Sequence, residues 1–345
     1  MRRLNSAMVT IGNHSAVPKM ELPGKEVDFQ KMLNRRWMLK VPDTNIHQIK
    51  IAPSREQFKA IGGYAFSNNT NPALGGNTKI REPHFYVVRD DLLHPYVNGN
   101  KARKLDALLP LLEEGSITDV ITCGGCQSAH AAAVAVACAE RGIKPHLLLR
   151  GERPKILTGY CLMSSMYGDV TYVPRSLYAN RDEMLASHAN SIAGNDAVVL
   201  SCNDIIGTNS SPDEMTLQSS SRKIAIINEG AGDATALLGV LRLVMYLSQD
   251  HLLGRERPIS LVVDAGTGTT AVGLGLSAVL LGLPWKVTAV MLADSIEGYL
   301  RKEKDLITKF SSQYLCQTGA SGLTSWADRT LELNLSPPRQ DLAIS

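Results

Sequence analysis

Twice along this chain a short apolar run gives way, across a turn of small residues, to a helical pattern and then to a second apolar run. Asp119-Val120-Ile121-Thr122 reads as a buried strand, Gly124-Gly125 as a tight turn, and Ala131 to Arg141 as an alanine- and valine-rich helix stopped at Gly142. His146 to Leu149 is the next strand, which completes a βαβ unit. The second unit runs from a strand at Ile259–Val263, through the loop Ala265-Gly266-Thr267-Gly268-Thr269-Thr270, to a helix ending near Leu281 and a strand at Lys286–Val290. Such alternation builds mostly parallel sheets covered on both faces, so the chain is expected to be α/β. Its 345 residues leave room for about two domains.

Charge and composition exclude several classes of function. The net charge of +3 gives no basic surface of the kind that binds nucleic acid. The longest apolar stretch, around Val272–Trp285, is too short and too broken by glycine and proline to span a bilayer. The first forty residues hold eight basic residues against three acidic ones, and no acid precedes Glu21. With Leu4, Met8 and Ile11 at helical spacing, that start has the character of an organellar import peptide, here expected to be mitochondrial, although a plain solvated terminus has the same composition. Residues 1–50 are therefore expected to be leader and linker. The serine-rich stretch 203–222 reads as an exposed loop or crossover between domains. Cys123 and Cys126 have CxxC spacing, but no second pair completes a zinc site, so no metal is expected.

Three short segments could carry chemistry. The loop Gly266–Thr270 turns a strand into a helix with no bulky side chain, which lets backbone N–H groups converge on one anion at the positive end of that helix. It lacks the lysine ending of a nucleotide P-loop and the downstream acid of a dinucleotide site, so a single phosphate fits better. In Asn98-Gly99-Asn100-Lys101-Ala102-Arg103-Lys104-Leu105, Lys101 stands at a helix start, where the dipole and burial would lower the pKa of an amine and suit it to a Schiff base. On spacing alone a solvated surface lysine is the simpler reading, because Arg103 and Lys104 follow at once. Pro110 predicts a kink or an early stop in the helix. In Gly124-Gly125-Cys126-Gln127-Ser128-Ala129-His130, a hydroxyl, an amide and free N–H groups crowd one turn that could hold a carboxylate. Ser128 as a plain N-cap is the simpler reading, and His130 is expected to be structural.

The order of these motifs resembles that of a known family. Asn-Gly-Asn-Lys-x-Arg-Lys-Leu, then Gly-Gly-x-Gln-Ser, then a strand with a Gly/Thr loop, is similar to D-cysteine desulfhydrases and 1-aminocyclopropane-1-carboxylate deaminases. These are tryptophan-synthase-β-like, fold type II enzymes that use pyridoxal 5′-phosphate (PLP). Arg89-Asp90-Asp91-Leu92 resembles the family's approach to the lysine, and the likeness covers about residues 82–300, most strongly to organellar members from plants. The resemblance implies Lys101 as the cofactor-binding lysine beside Asn100, and Gly266, Thr267, Gly268, Thr269 and Thr270 as the phosphate site. It further implies Ser128 as the hydroxyl against the substrate and Gln127 on its carboxylate. The implied fold is a pair of three-layer α/β domains, a large one from 51–102 plus 206–310 and a small one from 103–205, working as a homodimer. The implied reaction is α,β-elimination of a small D-amino acid, D-cysteine foremost, to pyruvate, hydrogen sulfide and ammonia.

The chain departs from the family pattern in places. Asn98 replaces a usual glycine, and Ala129 stands where asparagine commonly contacts the cofactor ring. Nothing between Ala320 and Ser345 matches the Asp-Pro-Val-Tyr-type segment that faces the pyridine nitrogen, so the tail 311–345 resembles replacement sequence from a truncated or alternatively spliced product and is expected to be disordered. That departure motivates a further reading, a PLP-binding chain with impaired or no turnover.

Overall fold

The structure is a computed structural model, and it describes residues 20–22, 25–27, 32–53, 64–74, 83–97, 99–208, 222–315 and 334–336. The import-peptide pattern at Leu4, Met8 and Ile11 lies outside those residues. The described chain begins with an antiparallel hairpin, β1 (Met20–Leu22) and β2 (Lys25–Val27). An antiparallel sheet of order β4-β3-β5 follows, from β3 (Ile46–Pro53), β4 (Tyr64–Asn69) and β5 (His84–Val88). The expected leader and linker therefore ends earlier than residue 50. Met32 and Ile46 belong to the main core, and Trp37 lies under the Arg242 guanidinium at 4.6 Å.

Next comes α1 (Gly99–Glu114), and its length corrects the early stop expected at Pro110, because the helix continues past that residue to Glu114. A proline there strands the carbonyl one turn earlier, that of Asp106. The Met38 N–H takes that carbonyl at 2.9 Å, while the Asp106 carboxylate accepts from Leu39 N at 2.7 Å and Arg242 at 2.8 Å. The segment before β3 thus satisfies what the proline leaves open.

The first βαβ unit is present, with β6 (Asp119–Gly125), α2 (Ala129–Ala139) and β7 (Lys144–Arg150). The chain continues through α3 (Gly159–Tyr167), β8 (Asp169–Val173), α4 (Arg175–Tyr178), α5 (Arg181–Ala193), β9 (Ala197–Ser201) and α6 (Cys202–Thr208). The expected loop at 203–222 is thus helical at its start, with Cys202 and Ile205 buried; residues 209–221 lie outside the described residues. With β10 (Arg222–Ile226) these strands form a parallel sheet of order β8-β7-β6-β10-β9. The expected division at residue 206 is therefore too early, since β10 hydrogen-bonds between β6 and β9. Its apolar side chains Ile224 and Ala225 face helices on opposite sides of this sheet. Leu105, Leu108, Val134 and Ile205 cover one face, and Tyr178, Met184, Leu185 and Ala189 the other.

The second unit follows as α7 (Ala236–Leu247), β11 (Ile259–Ala265), α8 (Thr269–Leu280), β12 (Trp285–Met291) and α9 (Ile296–Phe310). Leu238, Val240, Leu241 and Val244 of α7 pack with Ala271, Val272 and Leu276 of α8 in the largest core. A tail wholly without order is not what the structure shows. Ser311–Leu315 form a π turn with Leu315 buried, and β13 (Asn334–Ser336) pairs in parallel with β12, whose free edge supplies the partner. The architecture is α/β with both long sheets parallel, plus the small antiparallel sheet. Among the described residues, no helix is long and apolar enough to cross a membrane, and no cluster of three or more His, Cys, Asp or Glu could hold a metal ion.

Candidate active site

Helix α1 brings its charged motif inward rather than to solvent. Arg103 is 1% exposed and Lys104 2%, which overturns the reading of a solvated basic surface. The Arg103 guanidinium grips Asp90 through both oxygens, at 2.8 and 3.1 Å, and donates to Pro42 O at 2.8 Å. Asp90 belongs to the Arg-Asp-Asp-Leu segment, so one ion pair joins two of the motifs across 13 residues of sequence. The Lys104 ammonium donates to Gly230 O at 2.9 Å, and its complete burial pushes its pKa well down.

Lys101 is partly buried, and burial lowers the pKa of its amine, with Asp264 opposing in part. Its Nζ donates to Asn100 Oδ1 at 2.7 Å, and Asn100 Nδ2 donates to Thr270 Oγ1 at 3.2 Å. One asparagine therefore joins the lysine to the Gly/Thr loop across 170 residues of sequence. That loop has the strand-to-helix setting expected of it: β11 ends at Ala265 and α8 begins at Thr269. Gly268 caps the helix with φ +83°, a left-handed conformation that favours glycine, and offers no side chain to the first-turn N–H groups. Tyr299 of α9 braces the loop from behind by donating to Ala265 O and accepting from Leu292 N at 3.3 Å and Ala293 N at 3.2 Å.

A second brace comes from Gly230 and Gly232, which in sequence are only a weaker rival to the Gly/Thr loop. After β10 the chain crosses to α7 through Asn228–Asp233, with Gly230 at φ +69° and Ala231 at φ +52°. A Cβ on Gly230 would stand 2.6 Å from Thr267 Oγ1 and Cγ2, so the crossover lies directly on the Gly/Thr loop. Its Glu229 accepts from Tyr178 Oη at 2.5 Å and pairs with Arg181 at 2.6 Å, while Asn228 donates to the buried Asp233. Burial pushes the Asp233 carboxyl up to about 6, although the Asn228 bonds favour its charged form. The signal for this brace was the sequence Glu229-Gly230-Ala231-Gly232, but only the approach to Thr267 shows what it is for. Thr267, Thr269, Asn228, Glu229 and Arg181 open onto a cavity of about 350 Å³.

The third motif lies at the start of α2. Ser128 Oγ accepts from Ala131 N at 3.1 Å, so Ser128 is an N-cap whose hydroxyl proton is still available to donate. Gln127 has both ends of its amide engaged, donating to Thr158 O and accepting from Tyr160 N, each at 3.1 Å. In this arrangement it clamps the start of α3. His130 is buried, holds Thr122 Oγ1 at 2.9 Å, and has no partner on Nδ1. Burial first, and then the charges of Lys101 and Lys104, press its pKa well down, so the ring is neutral. The structure thus joins Lys101, Asn100 and Thr267–Thr270 directly, and sets Ser128 two residues from the histidine that senses the lysines. The Cys123–Cys126 spacing forms no pair: Cys123 is buried at the end of β6, and the sulfur beside Cys126 is that of Cys161.

PLP carries a phosphate dianion and an aldehyde, and the donor set suits both. The first-turn N–H groups of α8 have no side-chain cap, a Cβ on Gly266 would meet nothing within 4 Å, and Thr267, Thr269 and Thr270 bring hydroxyls to the same loop. An amine of lowered pKa suits the aldehyde.

No family model matches the chain. A rice (Oryza sativa subsp. japonica) protein named mitochondrial D-cysteine desulfhydrase 2 is 52% identical over 307 residues, covering 85% of this chain and 75% of the relative. A Pyrococcus abyssi protein named as a 1-aminocyclopropane-1-carboxylate deaminase is 32% identical over 227 residues, or 65% of this chain and 60% of that one. Among solved structures, one described as an ACC deaminase homologue superposes with a TM-score of 0.55 at 21% identity, over 74% of this chain and 66% of that one. That likeness shows the fold, fold type II. By its sequence the chain belongs to the family of D-cysteine desulfhydrases and 1-aminocyclopropane-1-carboxylate deaminases.

Proposed function

We propose that this chain is a PLP-dependent lyase that carries out α,β-elimination on a small D-amino acid, D-cysteine foremost. The observation that carries the proposal is the Asn100 bridge, which puts the Lys101 amine and the Thr270 end of an anion cradle in one hydrogen-bonded unit. The family's relatives named as desulfhydrases and deaminases support the reaction class. When bound, PLP supplies an electron-withdrawing ring that takes up the charge left on the substrate Cα.

The rest is the work of the chain's own side chains. Gly266–Thr270 and the N-terminus of α8 hold the phosphate, and Tyr299 and the Glu229–Gly232 crossover keep that loop from yielding. Lys101 Nζ would hold the cofactor's aldehyde carbon, and the lowered pKa of that amine also suits it to take the proton from the substrate Cα. Ser128 Oγ donates to the substrate carboxylate. The substrate then loses its thiol from Cβ, and with one water the products are pyruvate, ammonia and hydrogen sulfide. The amine of 1-aminocyclopropane-1-carboxylate would meet the same groups, and the Pyrococcus relative's name favours it as the second substrate. The mitochondrion is the proposed location, supported by the rice relative's name, and a homodimer the proposed assembly.

The experiment is to incubate the PLP-loaded chain with D-cysteine, L-cysteine and 1-aminocyclopropane-1-carboxylate, measuring sulfide, pyruvate and 2-oxobutanoate. Sulfide and pyruvate from D-cysteine above the other two are expected. Turnover of none of the three, with PLP bound, would overturn the reaction while leaving the cofactor site intact.

A further inference from the structure

Cys126 lies in the turn that carries Gln127 and Ser128, and Cys161 lies in the first turn of α3. Their sulfurs are 3.7 Å apart, against a bond length of about 2.0 Å. The approach is built into the fold, because Gln127 holds the turn to Thr158 and Tyr160 on both sides of its amide. Cys161 is fully buried against Ala131, Ala135, Leu147 and Leu149, with Tyr172 Oη 3.4 Å from its sulfur. Cys126 is partly exposed, whereas Cys123, Cys138 and Cys202 are buried. The pair therefore combines a thiol that an oxidant can reach with a second thiol waiting behind it.

We propose that Cys126 and Cys161 form a reversible disulfide that draws the Cys126–Ser128 turn toward α3 and lowers turnover. The oxidant is a peroxide. Its O–O bond breaks as Cys126 Sγ takes one oxygen to become a sulfenic acid, releasing water; Cys161 Sγ then attacks that sulfur, the S–O bond breaks, and a second water leaves. Two thiols and one peroxide give one disulfide and two waters. Cys161 is set in a helix and a packed core, so the turn makes most of the move, and Ser128 lies two residues along it. The bond itself is independent of the proposed function; the fall in turnover rests on that reading.

The test uses the full PLP-loaded chain, treated with hydrogen peroxide at mildly alkaline pH, because burial and the neighbouring Cys161 hold the Cys126 thiol above its ordinary range. After alkylation and digestion without reductant, the peptides carrying Cys126 and Cys161 should be found linked. Amide exchange over 124–131 should change, and D-cysteine turnover should fall several-fold and return with dithiothreitol. Cys161→Ala should keep its starting activity and resist the treatment; if it fails to fold, Cys126→Ser serves in its place. Absence of the linked peptides would overturn the proposal, and so would linkage that leaves amide exchange unchanged. A chain inactive from the start refutes the proposed reaction, while the linkage and the exchange still decide the disulfide.

Discussion

Gly230→Ala tests whether the crossover after β10 supports the phosphate loop. Two costs can be worked from the structure. A non-glycine residue at φ +69° costs about 1–2 kcal/mol. The new methyl would also stand 2.6 Å from two atoms of Thr267, an overlap that costs about 1–3 kcal/mol if the core holds still. Together they take about 2–5 kcal/mol from a stability on the order of 5–15 kcal/mol, so the variant should still fold. The overlap can be relieved only by moving Thr267 or the crossover, and Lys104 and Glu229 anchor the crossover. Thr267 should therefore yield, and the part of the second cost relieved in this way leaves the stability loss and falls on cofactor affinity instead, as a rise in the Kd for PLP of up to about 150-fold.

The assay is a PLP titration of the apo-protein read by absorbance, with urea unfolding of the same preparation. Gly232→Ala is the control, since its methyl would meet nothing closer than Glu229 O at 3.3 Å. Combining Gly230→Ala with Thr267→Ala removes the overlapping atoms, so the pair should lose less than the sum of the two single changes. Unchanged stability and unchanged PLP affinity in Gly230→Ala would refute the reasoning, as would strict additivity in the double variant.

Ser128→Ala should cost about 0.5–2 kcal/mol of stability through the lost cap, and should also cut turnover per folded molecule with PLP content unchanged; unchanged turnover would confine Ser128 to capping. Arg103→Ala strips the partner from Asp90 in a nearly dry site and should destabilise by about 3–5 kcal/mol, measured by urea unfolding; a loss below 1 kcal/mol, on the order of an exposed pair, would show that the ion pair is not structural. The Asp233 carboxyl is raised from 3.8 to about 6 in the fold, so the folded state binds the proton more tightly than the unfolded one. Its contribution is present in full below about pH 4 and is lost as pH rises through about 6, a fall of roughly 2–3 kcal/mol that Asp233→Asn should flatten. Unfolding curves of both chains across that window check it, and parallel profiles would count against the assignment.

The βαβ units were legible because hydrophobic period and small-residue turns are local signals. β6, α2, β7, β11, α8 and β12 lie within two or three residues of where the pattern put them. The Gly/Thr loop was legible for the same reason. What the sequence hid depends on distant partners. Pro110 reads as a helix stop unless Met38 is known to take the orphaned carbonyl. Arg103 and Lys104 read as a solvated face unless Asp90 and Gly230 O are known to await them. β10 was assigned to the wrong domain because a five-residue strand carries no mark of its neighbours. Gly230 and Gly232 read only as a rival glycine loop, because their bracing role is a contact with Thr267, 37 positions further along the sequence.

The central claim is that Lys101 is the residue that holds the cofactor, beside an anion cradle to which Asn100 ties it. Borohydride trapping tests it most directly: the chain is loaded with PLP, reduced, digested and mapped by mass spectrometry. The account predicts a pyridoxyl group on the peptide carrying Lys101, and none in a Lys101→Ala chain of the same fold. A label on Lys104 or Lys223 instead, or no label in a folded and PLP-saturated protein, would contradict it.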